Sequence, residues 1–299
     1  MLTAFVLLLG PLIWGAGFVA TKVTLGGSGP LWANCVRFAL AILVLFPMAL
    51  PRLRRLGRRA LRAGVLLGVF LFLAFTCQTA GMVTTGIAHS SFITGLYAVF
   101  VPLFGPFFGR HPKLSLLGAT ALALAGLALL TGVFSASAHV SPGDLLILGC
   151  AIVSAIHILI ADRVAKEADS IALNWIQLAT VAVISLGTAF ALEGAPHITW
   201  SRNVVVGQLY LAIFSSGLAF TLQFWAQRRI SPTVAAMIFL LEAPFGAAAG
   251  AAIYGERLSL VQMLGGMLML VACYLAVITG EREPEITEPA ATSLRETGL

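Results

Sequence analysis

Charge is scarce in this chain. Only 10% of its 299 residues are Asp, Glu, Lys or Arg, against about a quarter in a typical soluble domain, which is too few to cover a surface facing water. Catalytic signatures are missing as well: there is no HExxH, no GxSxG and no paired aspartate, so the usual metallohydrolase and serine-nucleophile readings fall away. Without a glycine-rich phosphate loop, the chain itself does not hydrolyse ATP. The four cysteines (Cys35, Cys77, Cys150 and Cys273) lie in apolar stretches without CxxC or Cys/His spacing. They read as small buried residues rather than metal ligands or disulfide partners. No metal and no cofactor are expected, and the chain reads as a non-enzyme.

What is present is apolar. Hydrophobic residues make up 59% and mean hydropathy is +0.98, which makes this an all-α membrane protein. A bilayer core of roughly 30 Å needs about 20 apolar residues per helix. Ten stretches qualify, at about 2–21, 31–50, 61–82, 88–108, 114–134, 143–161, 171–192, 205–226, 232–254 and 258–279. The first is read as a retained helix, because it lacks a basic n-region and "GAGFVATK" stands where a cleavage site would be. Residues 281–299 are charged and contain proline, and are expected to form a disordered cytoplasmic tail. With both termini cytoplasmic, the inner loops hold twelve Lys and Arg against three in the outer loops (Lys22, Arg202 and Arg257), the bias that orients membrane helices. The net charge of +6 then reflects basic loops facing anionic lipid and calls for no nucleic acid.

The chain repeats itself. LAFTCQ (73–78) returns as LAFTLQ (218–223), and AVFVPLFG (98–105) parallels LLEAPFG (240–246), which aligns Pro102 with Pro244. Asn34 and Asn174 fall at matching places in the second and seventh spans. Residues 1–135 and 141–280 thus read as two copies of one five-helix unit. Five is odd, so the copies enter the membrane in opposite senses, an arrangement common in secondary transporters, whose substrate site lies between the repeats near the midplane.

Three segments carry a family resemblance: WGAGFVATK (14–22), RFALA (37–41) and LLEAPFGAAAGAAIYGERLSLVQMLGGMLML (240–270). On these the chain resembles the drug/metabolite transporter superfamily, EamA type, along essentially its whole length before the tail. Within that group it is similar to the bacterial aromatic amino-acid exporters known as YddG. The resemblance implies ten helices, a central cavity, and export of small metabolites across the bacterial inner membrane. It leaves the cargo open, with drugs, nucleosides or sugar-like compounds as alternatives. A channel is the more distant reading, because neither a charge ring nor a carbonyl filter is visible. Phe100 and Arg110 stand where the second half has Glu242 and Glu256, so any acid-dependent step rests on the second copy.

Polar and aromatic residues deep in the spans are the site candidates. Glu242 lies about 15 Å from either end of its span at 1.5 Å per residue. A charge there is costly, and such acids usually face a cavity or a partner. It reads either as a protonatable site, with protons as the coupling ion, or as a tie to a neighbouring helix. Arg37 reads as a carboxylate-binding residue, an ion-pair partner or a helix–helix bond, and can also snorkel. Gln78 and Gln223 both donate and accept, which suits an amino-acid backbone and equally suits helix–helix bonding. His157 reads as a proton shuttle or a ring-stacking group, or as an ordinary hydrogen-bonded histidine. Trp14, Phe18, Tyr97, Trp225 and Phe239 lie away from the interfacial belts where Trp and Tyr collect; they read as walls of a pocket for flat apolar side chains, or as packing. Pro102 and Pro244 read as hinges, and Gly246 and Gly250 as a close-packing pair. Both halves sit in one chain, so a monomer suffices, with a small-molecule substrate and the lipid bilayer as its partners.

Overall fold

A computed structural model describes residues 6–132, 141–254 and 258–279, with the surroundings of 250–254 left out. The tail expected over 281–299 and the packing expected of Gly250 fall outside what is described. All regular structure in the described residues is helical. Among the described residues, nine helices are long and apolar enough to cross a bilayer, and Leu9–Leu25, 17 residues long, supplies a shorter tenth. Only helices and closed barrels satisfy every backbone group in lipid, and this composition takes the first route. Large apolar side chains such as Leu43, Val183, Phe190 and Leu260 are exposed on the outer faces, as lipid contact requires. This is a multi-pass membrane protein.

Most spans run where hydropathy places them. The second is Pro30–Leu53, the third Arg58–Gly81, the fifth Leu114–Thr131, the sixth Pro142–Val164, the seventh Ser170–Leu192 and the tenth Leu260–Thr279. The first, expected over 2–21, extends four residues further, to Leu25. Lys22 therefore belongs to a helix rather than an outer loop, because its ammonium reaches the carbonyls of Met82 and Thr85 at the end of the third span.

Three spans are irregular. The fourth breaks at Leu96 between Ile87–Gly95 and Tyr97–Phe104. The ninth breaks at Leu240 and Leu241 between Pro232–Phe239 and Glu242–Tyr254. Pro244 has no N–H for the Leu240 carbonyl, which instead receives Ala243 N at 3.3 Å. The eighth runs as α-helix over Arg202–Tyr210, as π-helix over Leu211–Ala219, and as α-helix again over Phe220–Gln227. π segments widen the helix and concentrate at functional sites.

The spans interleave. The second packs on the seventh and the fifth on the tenth; the third lies on the sixth and seventh, the eighth on the first and second, the fourth on the sixth, and the ninth on the first. This pattern is unchanged when five is added to or subtracted from every span number. Backbones approach closely at two of these contacts. A Cβ on Gly15 would lie 2.6 Å from the Glu242 carbonyl oxygen and from Gly246 N, and one on Gly265 would lie 2.5 Å from the Gly126 carbonyl oxygen. Gly246 thus packs directly on the first span. At one end of the bundle Thr85 Oγ1 donates to Asp144 Oδ1 at 2.7 Å, tying the turn after the third span to the start of the sixth. At the other, Arg110 pairs with buried Asp162 at 2.6 Å.

Candidate functional site

The first, third, fourth, sixth, eighth and ninth spans surround a cavity, and Arg37 of the second reaches it. It encloses about 750 Å³ of empty space, counting its open mouth. Its lining positions (14–21, 94–97, 150–158, 211–223 and 239–242) fall near the middle of their spans, while 71–78 lies in the second half of the third. The breaks in the fourth and ninth spans bring Tyr97 and Glu242 there, and the π segment brings Leu211 and Ser215.

Trp14 anchors the aromatic wall. Its ring centroid lies 5.2 Å from Phe220 and 5.2 Å from Phe239, edge-on to the latter, and its Nε1 donates to the Ser215 carbonyl at 3.1 Å. Phe220 continues to Phe75 at 6.0 Å. Phe18 and Tyr97 complete the lining rings. Such tilted and edge-on pairs hold rings in fixed orientations.

The polar lining is arranged around this wall. Tyr97 Oη lies 3.4 Å from Glu242 Oε1. Arg37, only 3% exposed, donates from Nε to Ser216 Oγ and from Nη2 to Ser215 Oγ, both at 2.8 Å. Its Cζ lies 4.4 Å from the Phe75 ring centroid. It neither snorkels nor pairs with a carboxylate among the described residues. Gln78 Nε2 is 3.5 Å from Thr94 Oγ1, while Gln223 Nε2 donates to Gln227 Oε1 at 3.0 Å. His157 Nε2 meets Gln177 Oε1 at 3.0 Å. Gln177 Nε2 in turn donates to Asn174 Oδ1 at 2.9 Å, and Asn174 Nδ2 to the Ser216 and Gly217 carbonyls at 3.1 and 2.9 Å. The Gln177 amide oxygen can only accept, so its contact with His157 is a hydrogen bond in the tautomer that carries the proton on Nε2. The chain of side chains thus runs from the cavity histidine to the π segment that holds Arg37.

Of the residues singled out for the cavity, Trp14, Phe18, Gln78, Tyr97, His157, Gln223 and Phe239 line it, together with Arg37 and Glu242. Trp225 does not, and that expectation is corrected. Phe220 and Gln223 are three residues apart and share one helix face. Trp225 lies two further on, so it turns away and instead stacks under Arg229 at 4.3 Å. Sequence reasoning passed over Phe75, Phe220, Thr94, Ser154 and Ser215. The first two stand within the repeated LAFTCQ and LAFTLQ and were open to detection there. Ser215 was not, because a π segment shifts the helical phase by which its face would be read.

With the geometry in place, comparison identifies the class. The EamA-like transporter family matches residues 1–132 and again 141–278, and the chain belongs to that family. An uncharacterized transporter of Archaeoglobus fulgidus is 28% identical over 87% of this chain and 81% of its own length. A probable amino-acid metabolite efflux pump of Salmonella typhimurium is 27% identical over 91% of this chain and 94% of its own. A solved crystal structure, 16% identical, matches 94% of this chain and 99% of its own with a TM-score of 0.77, which establishes a shared fold.

Proposed function

We propose that the protein exports small metabolites, aromatic and hydrophobic amino acids foremost, by alternating access across the bacterial cytoplasmic membrane, with both termini inside. The observation that carries this reading is the mid-span cavity, whose walls come from both halves and hold aromatic rings beside one guanidinium and one carboxyl group. Flat apolar side chains fit between such rings, and the two ionisable groups suit the charged ends of an amino acid. The span packing, unchanged on shifting by five, supports an inverted pair of five-helix repeats over 1–135 and 141–280. Two such copies exchange conformations to open the cavity to one side and then the other. The Salmonella relative's name points the same way on cargo. Protons are the coupling ion we favour, through Glu242. A single chain holds the complete cavity, so a monomer is sufficient.

Counterflow of labelled phenylalanine into proteoliposomes preloaded with unlabelled phenylalanine tests the proposal. Competition by Trp, Tyr and Phe but not by Ala or Glu is the expected result. Absence of counterflow from folded protein would sink the aromatic amino-acid reading and turn the search to nucleosides, drugs or sugar-like compounds. Linear, non-saturating flux would favour a channel.

The same assay separates the two deep tryptophans. Trp14→Ala removes the ring that joins Phe220 to Phe239 and is expected to lower transport by about tenfold or more, since burying an aromatic group is worth several kcal/mol. Trp225→Ala, outside the cavity, is expected to stay within about twofold of the parent, as for substitutions that touch no site contact. Equal losses from both would remove Trp14 from the substrate wall.

A further inference from the structure

Arg37 has no counter-charge among the described residues. It is buried, it borders the cavity, and it takes part in none of the three ion pairs among the described residues. A guanidinium has five N–H donors, of which Ser216 and Ser215 take two; the remaining three have no protein partner among the described residues. Phe75 covers one face of the group at 4.4 Å.

Joining helices does not explain a cation here. At the same junction Gln208 Nε2 ties the eighth span to the Ala33 carbonyl at 3.2 Å, and Asn174 Nδ2 ties the seventh span to the Ser216 carbonyl at 3.1 Å. Neutral amides perform that task without the desolvation cost of a charge. The serines that hold Arg37 are themselves fixed, Ser215 through its carbonyl to Trp14 Nε1 and Ser216 through its carbonyl to Asn174. The guanidinium is therefore preorganised, with free donors, at one end of an aromatic wall running through Phe75 and Phe220 to Trp14.

We infer that Arg37, positioned by Ser215 and Ser216, binds the carboxylate of the substrate, so that the transported class is small compounds with a free carboxylate attached to an apolar or aromatic body. This rests on the cavity being the transport site, as proposed above. The planar fork matches a carboxylate through two parallel hydrogen bonds, which a lysine cannot reproduce. The carboxylate supplies the missing charge, and the attached ring lies along the wall. An amine on the substrate is not required by this subsite.

Binding without transport tests it. Purified protein in detergent is titrated with 3-phenylpropionate, which has the carboxylate but no amine, and with phenethylamine, which has the amine but no carboxylate; thermal stabilisation is read. The parent protein is expected to bind 3-phenylpropionate at least about tenfold more tightly, the size of one charge-assisted pair. Arg37→Gln is expected to abolish that preference, and Ser215→Ala to reduce it several-fold. Should the glutamine variant not fold, Arg37→Lys keeps the charge without the fork and is expected to reduce the preference as well. Equal binding of the two compounds, no stabilisation by 3-phenylpropionate, or a preference unchanged in the Arg37 variants would each overturn the inference. Counterflow separates the two proposals. A carboxylate preference without phenylalanine counterflow leaves the Arg37 site standing and removes amino-acid export; counterflow without the preference does the reverse.

Discussion

Replacing Gly15 with leucine is expected to abolish transport and to destabilise the protein by about 3 kcal/mol or more, at or beyond the upper end for overpacked interiors. A Cβ at this position would lie 2.6 Å from both the Glu242 carbonyl oxygen and Gly246 N. Both obstacles are backbone, so no side chain can rotate out of the way, and the first and ninth spans must separate. That separation moves Trp14 away from Phe239 and moves Glu242 within the cavity, so the loss of function exceeds what the lost stability alone would cause. Gly15→Ala is the graded companion, already too large by the same contact. Gly118→Ala is the control: nothing lies within 4 Å of its added Cβ, and alanine is the better helix former by about 0.5–1 kcal/mol. Thermal unfolding in detergent and counterflow in proteoliposomes read the two effects separately. A leucine variant with parental stability and flux would refute the close approach of these two spans.

The parts of this fold that were legible in the sequence are those dictated by the bilayer. Its thickness sets helix length, so the spans from Pro30–Leu53 onward lie within a few residues of their hydropathy limits. The end of the first span was set four residues short because Lys22 and Thr24 read locally as the start of a polar loop. Only the carbonyls of Met82 and Thr85, sixty residues away in sequence, make a helical Lys22 acceptable. The internal repeat was legible as LAFTCQ and LAFTLQ, and those sextets carry Phe75, Gln78, Phe220 and Gln223 into one cavity. Polarity and depth were enough to nominate Arg37, His157 and Glu242, but not to choose their partners. The partners depend on the π segment over Leu211–Ala219, which changes the phase of the eighth span and turns Ser215 and Ser216 toward Arg37. Trp225 failed for the complementary reason: its depth was right, while its direction follows from the regular helix that resumes at Phe220.

Glu242→Gln is expected to uncouple the transporter rather than stop it. The residue opens the second helix of the ninth span, directly after the break at Leu240 and Leu241, and its carbonyl faces Gly15 across the contact just described. Its carboxyl group is buried, borders the cavity, and has Tyr97 Oη at 3.4 Å. No cation forms an ion pair with it among the described residues. On the alternating-access reading proposed above, a carboxyl group with one weak neighbour and access to the cavity can gain and lose a proton as the cavity changes sides. Because it stands at a helix break, its charge bears directly on how the two helical pieces meet, and a helix N-terminus favours the anion. Glutamine keeps the shape and the hydrogen bond to Tyr97 while fixing the charge at zero. Exchange of labelled for unlabelled substrate at equal pH needs no net proton movement, so it is expected to stay within about threefold of the parent. Uptake driven by an imposed pH difference needs the proton to travel, and is expected to fall on the order of tenfold or more, equivalent to about 1.4 kcal/mol per decade in rate. Equal loss of exchange and gradient-driven flux would make Glu242 a packing residue, with Tyr97→Phe then expected to reproduce the defect. Full retention of both would exclude this carboxyl group from coupling and place the travelling proton on another group.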